Sequence, residues 1–242
     1  MRAIVTYHSL DPSGSPISVH PDAFRRHAEW LGSGAVPVRS FTDLMTSDGP
    51  GIAVTFDDAF VSFRDLAWPL LRERGIPVTV FVPTDHAGRT NRWPDESYTG
   101  IPELPLLDWD ALARLATEGV QLGSHTRTHR DLRRLDDDDL QEELESAADR
   151  IGEITRRPDV LAYPYGFADA RVAAAARRVY TYACTDELRG LREDDDRHLL
   201  PRLDAYYFQA PGRLEGFGTW TFGAYMAVRR LGRRVKRGMA RG

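Results

Sequence analysis

Two adjacent carboxylates, Asp57 and Asp58, follow a mostly apolar run at residues 52–56. Such a run is typical of a strand that is buried on both faces in a parallel sheet. Active sites of parallel α/β folds form at the carboxyl ends of strands, and neighbouring residues there point to opposite sides. The two acids can therefore do different work, one as a metal ligand and the other as a base. The alternative is that the pair only caps the helix that follows.

A second polar motif, SHTRTH at residues 124–129, comes directly after another apolar stretch at residues 120–122. Two histidines four positions apart, His125 and His129, can face one point in space. Together with Asp58 they make a two-histidine, one-carboxylate set, which suits zinc or another divalent first-row metal and leaves positions open for water and substrate. Surface histidines at this spacing are common, so the prediction of a metal site depends on both motifs following strands.

The elements that must position these residues alternate along the chain. Apolar stretches rich in β-branched residues predict strands at residues 3–7, 52–56, 76–82, 120–122, 160–163 and 180–184. Helical periodicity predicts helices between them, the first from Pro21, with His20 and His27 at its surface. This repeated strand–helix order predicts an α/β fold built on a parallel barrel, in a single domain.

Composition narrows the function classes. A chain of 242 residues with 42% hydrophobic content matches the size of one α/β barrel. Its one cysteine, Cys184, excludes an internal disulfide and a cysteine-rich zinc site, so histidines and carboxylates must hold any metal. The sequence begins without a long apolar segment and contains no run of membrane-spanning length, so we expect a cytoplasmic protein.

Charge divides the chain into two parts. The formal net charge of −4 combines +7 in residues 229–242, which contain no acid, with −11 in residues 1–228. The acidic body argues against binding to nucleic acid. Apolar residues recur in the basic part at roughly helical spacing, namely Met226, Leu231, Val235 and Met239.

We therefore expect a barrel in residues 1–212 and a basic, helical tail in residues 213–242. A basic amphipathic helix favours anionic membrane surfaces, so peripheral membrane contact is one function open to the tail. The other is a helix docked on the barrel with a solvated basic face.

Three motifs, TFDDAF, SHTRTH and LAYPYG (residues 161–166), occur in this order. They resemble the first three motifs of the polysaccharide deacetylases, also called carbohydrate esterase family four or the NodB-homology domain. The resemblance covers about residues 3–203. It implies a distorted (β/α) barrel with about seven parallel strands and metal-dependent hydrolysis of an N-acetyl group on a sugar.

By motif position, the resemblance implies a role for each site residue. Asp57 would be the general base, and the backbone N–H of Tyr165 would belong to the oxyanion hole. The metal ligands would be Asp58, His125 and His129. The metal would be a divalent ion, with Zn²⁺ expected first and Co²⁺, Ni²⁺ or Fe²⁺ as alternatives.

The sequence departs from the commonest family pattern at two points. Ala162 occupies the position that usually carries an arginine next to the base, and Arg202 is a candidate replacement. The late Leu-His motif that usually supplies the general acid is not recognisable. The beginning of the chain, TYHSL, resembles a subgroup with an N-terminal Tyr-His strand end, which favours His8 as the acid over His198. Predicted substrate contacts are Tyr163, Pro164, Asn91, Trp93 and Arg202.

The leading interpretation is an N-deacetylase that acts on an N-acetylated amino sugar in a glycoside or sugar conjugate and releases acetate. The alternatives are a deformylase or other small-amide hydrolase on the same scaffold, and a carbohydrate-binding protein without turnover. Intact Asp57, Asp58, His125 and His129 argue against the non-catalytic alternative.

Overall fold

Seven parallel strands form the centre of the molecule, curled into an incomplete barrel. The computed structural model describes residues 1–94 and 100–239, with side chains described through residue 232. The strands are β1 (Arg2–Tyr7), β4 (Gly51–Phe56), β5 (Val78–Val82), β6 (Gln121–Ser124), β7 (Val160–Ala162), β8 (Tyr182–Cys184) and β9 (Leu203–Asp204). They lie in the sheet in the order β8-β7-β6-β5-β4-β1-β9. Two short strands, β2 (Ser9–Leu10) and β3 (Ser18–Val19), pair separately. The predicted α/β fold and distorted barrel are thus confirmed.

Seven α-helices connect and cover the strands in the described part of the chain. They are α1 (Pro21–Gly32), α2 (Phe41–Thr46), α3 (Trp68–Glu73), α4 (Trp109–Thr117), α5 (Asp137–Gly152), α6 (Ala170–Val179) and α7 (Trp220–Met239). Aspartates 108, 136 and 169 cap α4, α5 and α6, each accepting a hydrogen bond from a backbone N–H of the first turn.

The residues just before and within β9 bring the two edges of the sheet together. Leu200 pairs with Cys184 of β8, while Leu203 pairs with Val5 of β1. A segment of only a few residues therefore bridges the first and last strands of the curl. The sequence analysis did not predict β9, because a two-residue strand is too short to show a period.

Alternate residues of each strand pack into different layers, as the pleat requires. Val5, Val54 and Val80 pack with the apolar faces of α1, α3 and α4. Ile4, Ala53 and Phe81 instead join residues of the last strands in the interior of the curl. Because both faces of the sheet are covered, the strand sequences are nearly continuous apolar runs.

One expectation about α1 was wrong. His20 is exposed, but His27 is buried, with its ring between the Tyr7 hydroxyl and the Phe208 carbonyl at 3.1 Å from each. Burial lowers the pKa of His27 and favours the neutral ring. His27 lies on the inward face of α1 with Phe24 and Ala28, where a neutral imidazole with two hydrogen-bond partners is tolerated.

Helix α7 docks on the barrel through one face only. Phe222 stacks on Phe208 with ring centroids 5.4 Å apart, and Met226 is buried. Leu231 is exposed, so it does not share a face with Met226 as the sequence analysis expected. Val235 and Met239, which complete that expected stripe, lie beyond the described side chains. In the part of the chain that the structure describes, no helix combines the length and the apolar character needed to cross a lipid bilayer.

Candidate metal and catalytic site

Three strands, β1, β4 and β6, deliver the candidate side chains to one end of the sheet. Asp57 and Asp58 directly follow β4, and His125 directly follows β6. Thr6 lies near the end of β1, and His8 follows that strand by one residue. All strands are parallel, so their carboxyl ends meet and the residues become neighbours despite their distance along the chain.

Asp57 is held by the protein itself. Arg202 donates to both carboxylate oxygens, Nη1 to Oδ1 at 2.7 Å and Nη2 to Oδ2 at 2.8 Å, and Thr6 donates to Oδ1 at 3.3 Å. Burial alone would raise the pKa of Asp57, but the charge of Arg202 outweighs it and holds that pKa well below its usual range. Asp57 is therefore an ionised carboxylate with a fixed orientation.

Asp58 lies against the two histidines instead. Its Oδ1 is 3.3 Å from His125 Nε2 and 3.4 Å from His129 Nε2. One ligand atom from each of the three residues lies within 4.8 Å of the others, and all three residues are buried. The structure thus brings together the three residues that the sequence analysis named as metal ligands.

The hydrogen-bonding state of this group fits a bound cation. Asp58 Oδ1 and His129 Nδ1 are buried without a hydrogen-bond partner among the described residues, although such atoms are normally paired. Burial lowers the pKa of His129 to about 3, so its ring is neutral, as a metal ligand must be. The Nδ1–H of His125 is directed at the Ala162 carbonyl, 2.7 Å away, which leaves Nε2 facing Asp58. Two imidazoles and a carboxylate suit a divalent first-row metal.

A buried glutamate fixes the loop that carries the histidines. Glu143 of α5 accepts hydrogen bonds from the backbone N–H groups of Arg127 (3.0 Å) and Thr128 (2.9 Å) and from the Thr128 hydroxyl. Glu143 was not among the site residues predicted from the sequence. The available signal was a charged residue at position 143, three residues after Leu140 and one before Leu144 on the apolar stripe of α5.

Left-handed backbone is concentrated in the loops that build the site. In the described chain, five non-glycine residues have positive φ, and all lie in three loops after β4, β6 and β7: Asp58 (69°), Ala59 (57°), Thr126 (65°), His129 (58°) and Tyr165 (58°). This conformation is unfavourable for residues with a side chain and is retained where the surrounding structure enforces it. Backbone strain therefore accompanies the two ligand loops and the third motif.

The two carboxylates open onto a cavity of about 310 Å³. His8 is on its wall, with Nε2 3.6 Å from Asp57 Oδ2. His198, the alternative candidate for the acid, is not on the wall, and its Nε2 lies 2.9 Å from the Tyr180 carbonyl oxygen. Among the described residues, the placement favours His8.

The third motif lines the cavity with two of its residues. Tyr165 and Gly166 line the cavity. A Cβ at Gly166, whose φ is 68°, would lie 2.3 Å from the backbone nitrogen of Asp186, so only glycine fits there. Tyr163 and Pro164 are buried and are not among the lining residues, and the Tyr163 hydroxyl donates to the His198 carbonyl.

Of the two substrate contacts predicted in the long loop before α4, only one lines the cavity. Trp93 lines the cavity and stacks on the His129 ring, with centroids 4.1 Å apart. Asn91 instead braces the loop, donating to the Pro102 carbonyl and accepting from the Leu104 N–H, and it does not line the cavity. Asp186 and Asp204, which the sequence analysis did not name, are also on the cavity wall.

Comparisons with known proteins agree with this geometry. Residues 45–183 match the family model described as polysaccharide deacetylase. The candidate polysaccharide deacetylase YxkH of Bacillus subtilis is 23% identical over 209 residues, which cover 83% of this chain and 70% of YxkH. The poly-beta-1,6-N-acetyl-D-glucosamine N-deacetylase of Staphylococcus epidermidis is 24% identical over 206 residues, covering 77% and 67% of the two chains.

Solved structures share the fold. The deacetylase PplD of Streptococcus pyogenes, in complex with acetate, superposes with a TM-score of 0.71 at 19% identity, covering 84% of this chain and 91% of PplD. IcaB from Ammonifex degensii gives a TM-score of 0.68 at 20% identity, covering 83% and 90%. Because the family model matches more than half of the chain, the predicted family is confirmed: this chain belongs to the polysaccharide deacetylase family.

Proposed function

We propose that this protein is a metal-dependent N-deacetylase that hydrolyses the acetamido group of an N-acetylated amino sugar in a glycoside or sugar conjugate and releases acetate. The observation that carries the proposal is the contrast at one strand end. Asp57 is ionised and paired with Arg202, whereas Asp58 faces His125 and His129. The first arrangement suits a base and the second suits a cation.

The proposed metal ligands are Asp58, His125 and His129, with zinc as the first candidate. A divalent cation held there would supply Lewis-acid chemistry, which activates water and polarises the amide carbonyl. Asp57 accepts a proton from the attacking water, and Arg202 keeps its carboxylate oriented for that transfer. Arg202 thus serves the role that the family resemblance assigns to an arginine at the position of Ala162.

The remaining steps need a hydrogen-bond donor for the oxyanion and a proton donor for the leaving amine. Tyr165 lines the cavity, and its backbone N–H is proposed to donate to the developing oxyanion. His8 is proposed to give a proton to the amine nitrogen as the C–N bond breaks. The products are then acetate and the free amino sugar. Trp93 offers an apolar ring beside the site on which a sugar can pack.

The activity named for the Staphylococcus epidermidis relative makes oligomers of β-1,6-linked N-acetylglucosamine the first substrate to test. Metal-stripped protein is reconstituted singly with Zn²⁺, Co²⁺, Ni²⁺ or Fe²⁺ and assayed for acetate release from these oligomers, other N-acetylglucosamine glycosides and sugar nucleotides. We expect release only after reconstitution, and none from a His125→Ala, His129→Ala double variant. Formate release from N-formyl substrates without acetate release would establish the deformylase alternative. Stoichiometric metal in the double variant would refute the ligand assignment.

A further inference from the structure

Helix α7 carries an apolar stripe that nothing in the described structure covers. Trp220, Val228 and Leu231 are 83%, 70% and 65% exposed. They are three of the five exposed large hydrophobic residues of the described chain. Ala224 and Ala227 between them are also exposed. The spacings of 4, 7, 8 and 11 residues from Trp220 place all five on one helix face.

The stripe lies opposite the face that docks on the barrel. Phe222 and Met226 point into the body, and the Tyr225 hydroxyl donates to the Tyr207 carbonyl at 2.5 Å. At about 100° per residue, the midpoint of this docking face is roughly half a turn from the midpoint of the stripe. The barrel therefore fixes α7 in place with its apolar stripe directed outward.

The charge of the helix selects among the surfaces that could cover the stripe. α7 contains six basic residues and no acidic residue. Pairing with α7 of a second copy would bring these like charges together. A nucleic acid duplex would neutralise them but offers no apolar layer for the stripe. An anionic lipid surface provides both opposite charge and an apolar layer. Amphipathic helices insert their apolar face at the headgroup boundary, while their basic residues contact the anionic lipids.

We propose that α7 binds the surface of anionic lipid bilayers, with Trp220, Val228 and Leu231 inserted at the headgroup boundary. The helix also approaches a loop beside the cavity. Arg230 Nη2 lies 4.0 Å from Glu187 Oε1, and the neighbouring Asp186 is on the cavity wall. Membrane binding would therefore hold the cavity near the lipid surface. The proposal does not depend on the proposed hydrolysis, because binding is measured without substrate.

The test is co-sedimentation with vesicles of pure phosphatidylcholine and with vesicles that also contain phosphatidylglycerol. The unaltered protein should bind only the second kind, and less at high salt. A Trp220→Ser, Val228→Ser, Leu231→Ser triple variant should bind at least about 10-fold more weakly. The matched control is Leu66→Ser, which removes an exposed leucine (42% exposed) outside α7 and should bind normally.

A second variant tests the charges and leaves Phe222, Tyr225 and Met226 unchanged. Gln substitutions at Arg233, Arg234, Lys236 and Arg237 should weaken binding to the anionic vesicles roughly 100-fold. The proposal is overturned if the unaltered protein does not bind anionic vesicles or if the triple variant binds them as well as the unaltered protein does. It is also overturned if sedimentation without lipid shows a dimer that the triple variant dissociates, or if duplex DNA displaces the protein from the vesicles.

Discussion

Asp57 and Asp58 are neighbours in sequence, yet their surroundings are opposite. The protein supplies Asp57 with a bidentate arginine and a hydroxyl, while Asp58 Oδ1 has two imidazoles beside it and no hydrogen-bond partner among the described residues. A buried carboxylate oxygen without a hydrogen-bond partner is costly. This contrast supports the proposal that the fold satisfies Asp57 internally and leaves Asp58 to an external cation.

The largest expected effects come from neutralising Asp57 and Asp58 in separate variants. Asp58→Asn should lose both bound metal and turnover, because it removes a charged ligand. Asp57→Asn should lose turnover by roughly 100 to 10,000-fold while metal content is largely retained, because only the base is removed. Metal content by atomic emission and acetate release are measured on the same samples. Equal metal loss in the two variants would show that the acids share one function.

The next largest effect is expected at His8, whose Nε2 lies 3.6 Å from Asp57 Oδ2. His8→Ala should lower kcat by roughly 100 to 10,000-fold, because a positioned acid no longer protonates the leaving amine. Metal content should stay normal, and the alkaline limb that a general acid gives to the pH–rate profile should disappear.

His198→Ala is the matched control for His8, since its ring lies against the Tyr180 carbonyl and away from the cavity wall. Its kcat should change little. If His198→Ala is inactive while His8→Ala turns over normally, the two roles must be exchanged.

The last expected effect is on stability, and it is expected at Arg202. Its pairing holds the pKa of Asp57 below the unfolded value of about 4, so the pair adds stability that is fully present above about pH 4 and is lost as the pH falls through the lowered pKa. Arg202→Met should cost about 3–5 kcal/mol of unfolding free energy at neutral pH, because it leaves a buried carboxylate unpaired. The deficit should shrink in acid, as protonation of Asp57 removes that charge.

Urea unfolding at neutral pH and at about pH 4 measures this dependence. Arg189→Met is the control, because Arg189 also forms a bidentate pair, with Asp195, but its side chain is 14% exposed and is not on the cavity wall. It should cost less and leave turnover unchanged. A deficit in Arg202→Met that is the same at both pH values would contradict the charge argument.

The parts of the site that the sequence predicted are those encoded by local motifs. Asp57, Asp58, His125 and His129 directly follow or closely follow strands whose apolar runs are visible in the sequence. Their convergence followed from parallel strand order alone.

The contacts that support these residues could not be predicted from local motifs, because they join positions that are far apart in the sequence. The hydrogen bonds of Glu143 span 15 and 16 residues, and Arg202 reaches Thr6 across 196. No periodic pattern in the sequence predicts such pairings. His27 shows the related difficulty for burial: a histidine on a helix is surface or core according to whether partners such as Tyr7 are present on another element.

The short segment that bridges the two edges of the sheet has a consequence for the order of folding. Arg202 and Asp57 are 145 residues apart in the chain, and contacts of that kind form late because loop closure must come first. A chain with Asp58, His125 and His129 in place but β9 still undocked would contain Asp57 without its arginine, and burial would then favour the protonated acid, which cannot accept a proton. Ionisation of Asp57 is thereby linked to closure of the barrel, so a partly folded chain is expected to form the proposed cation site before Asp57 can act as the proposed base.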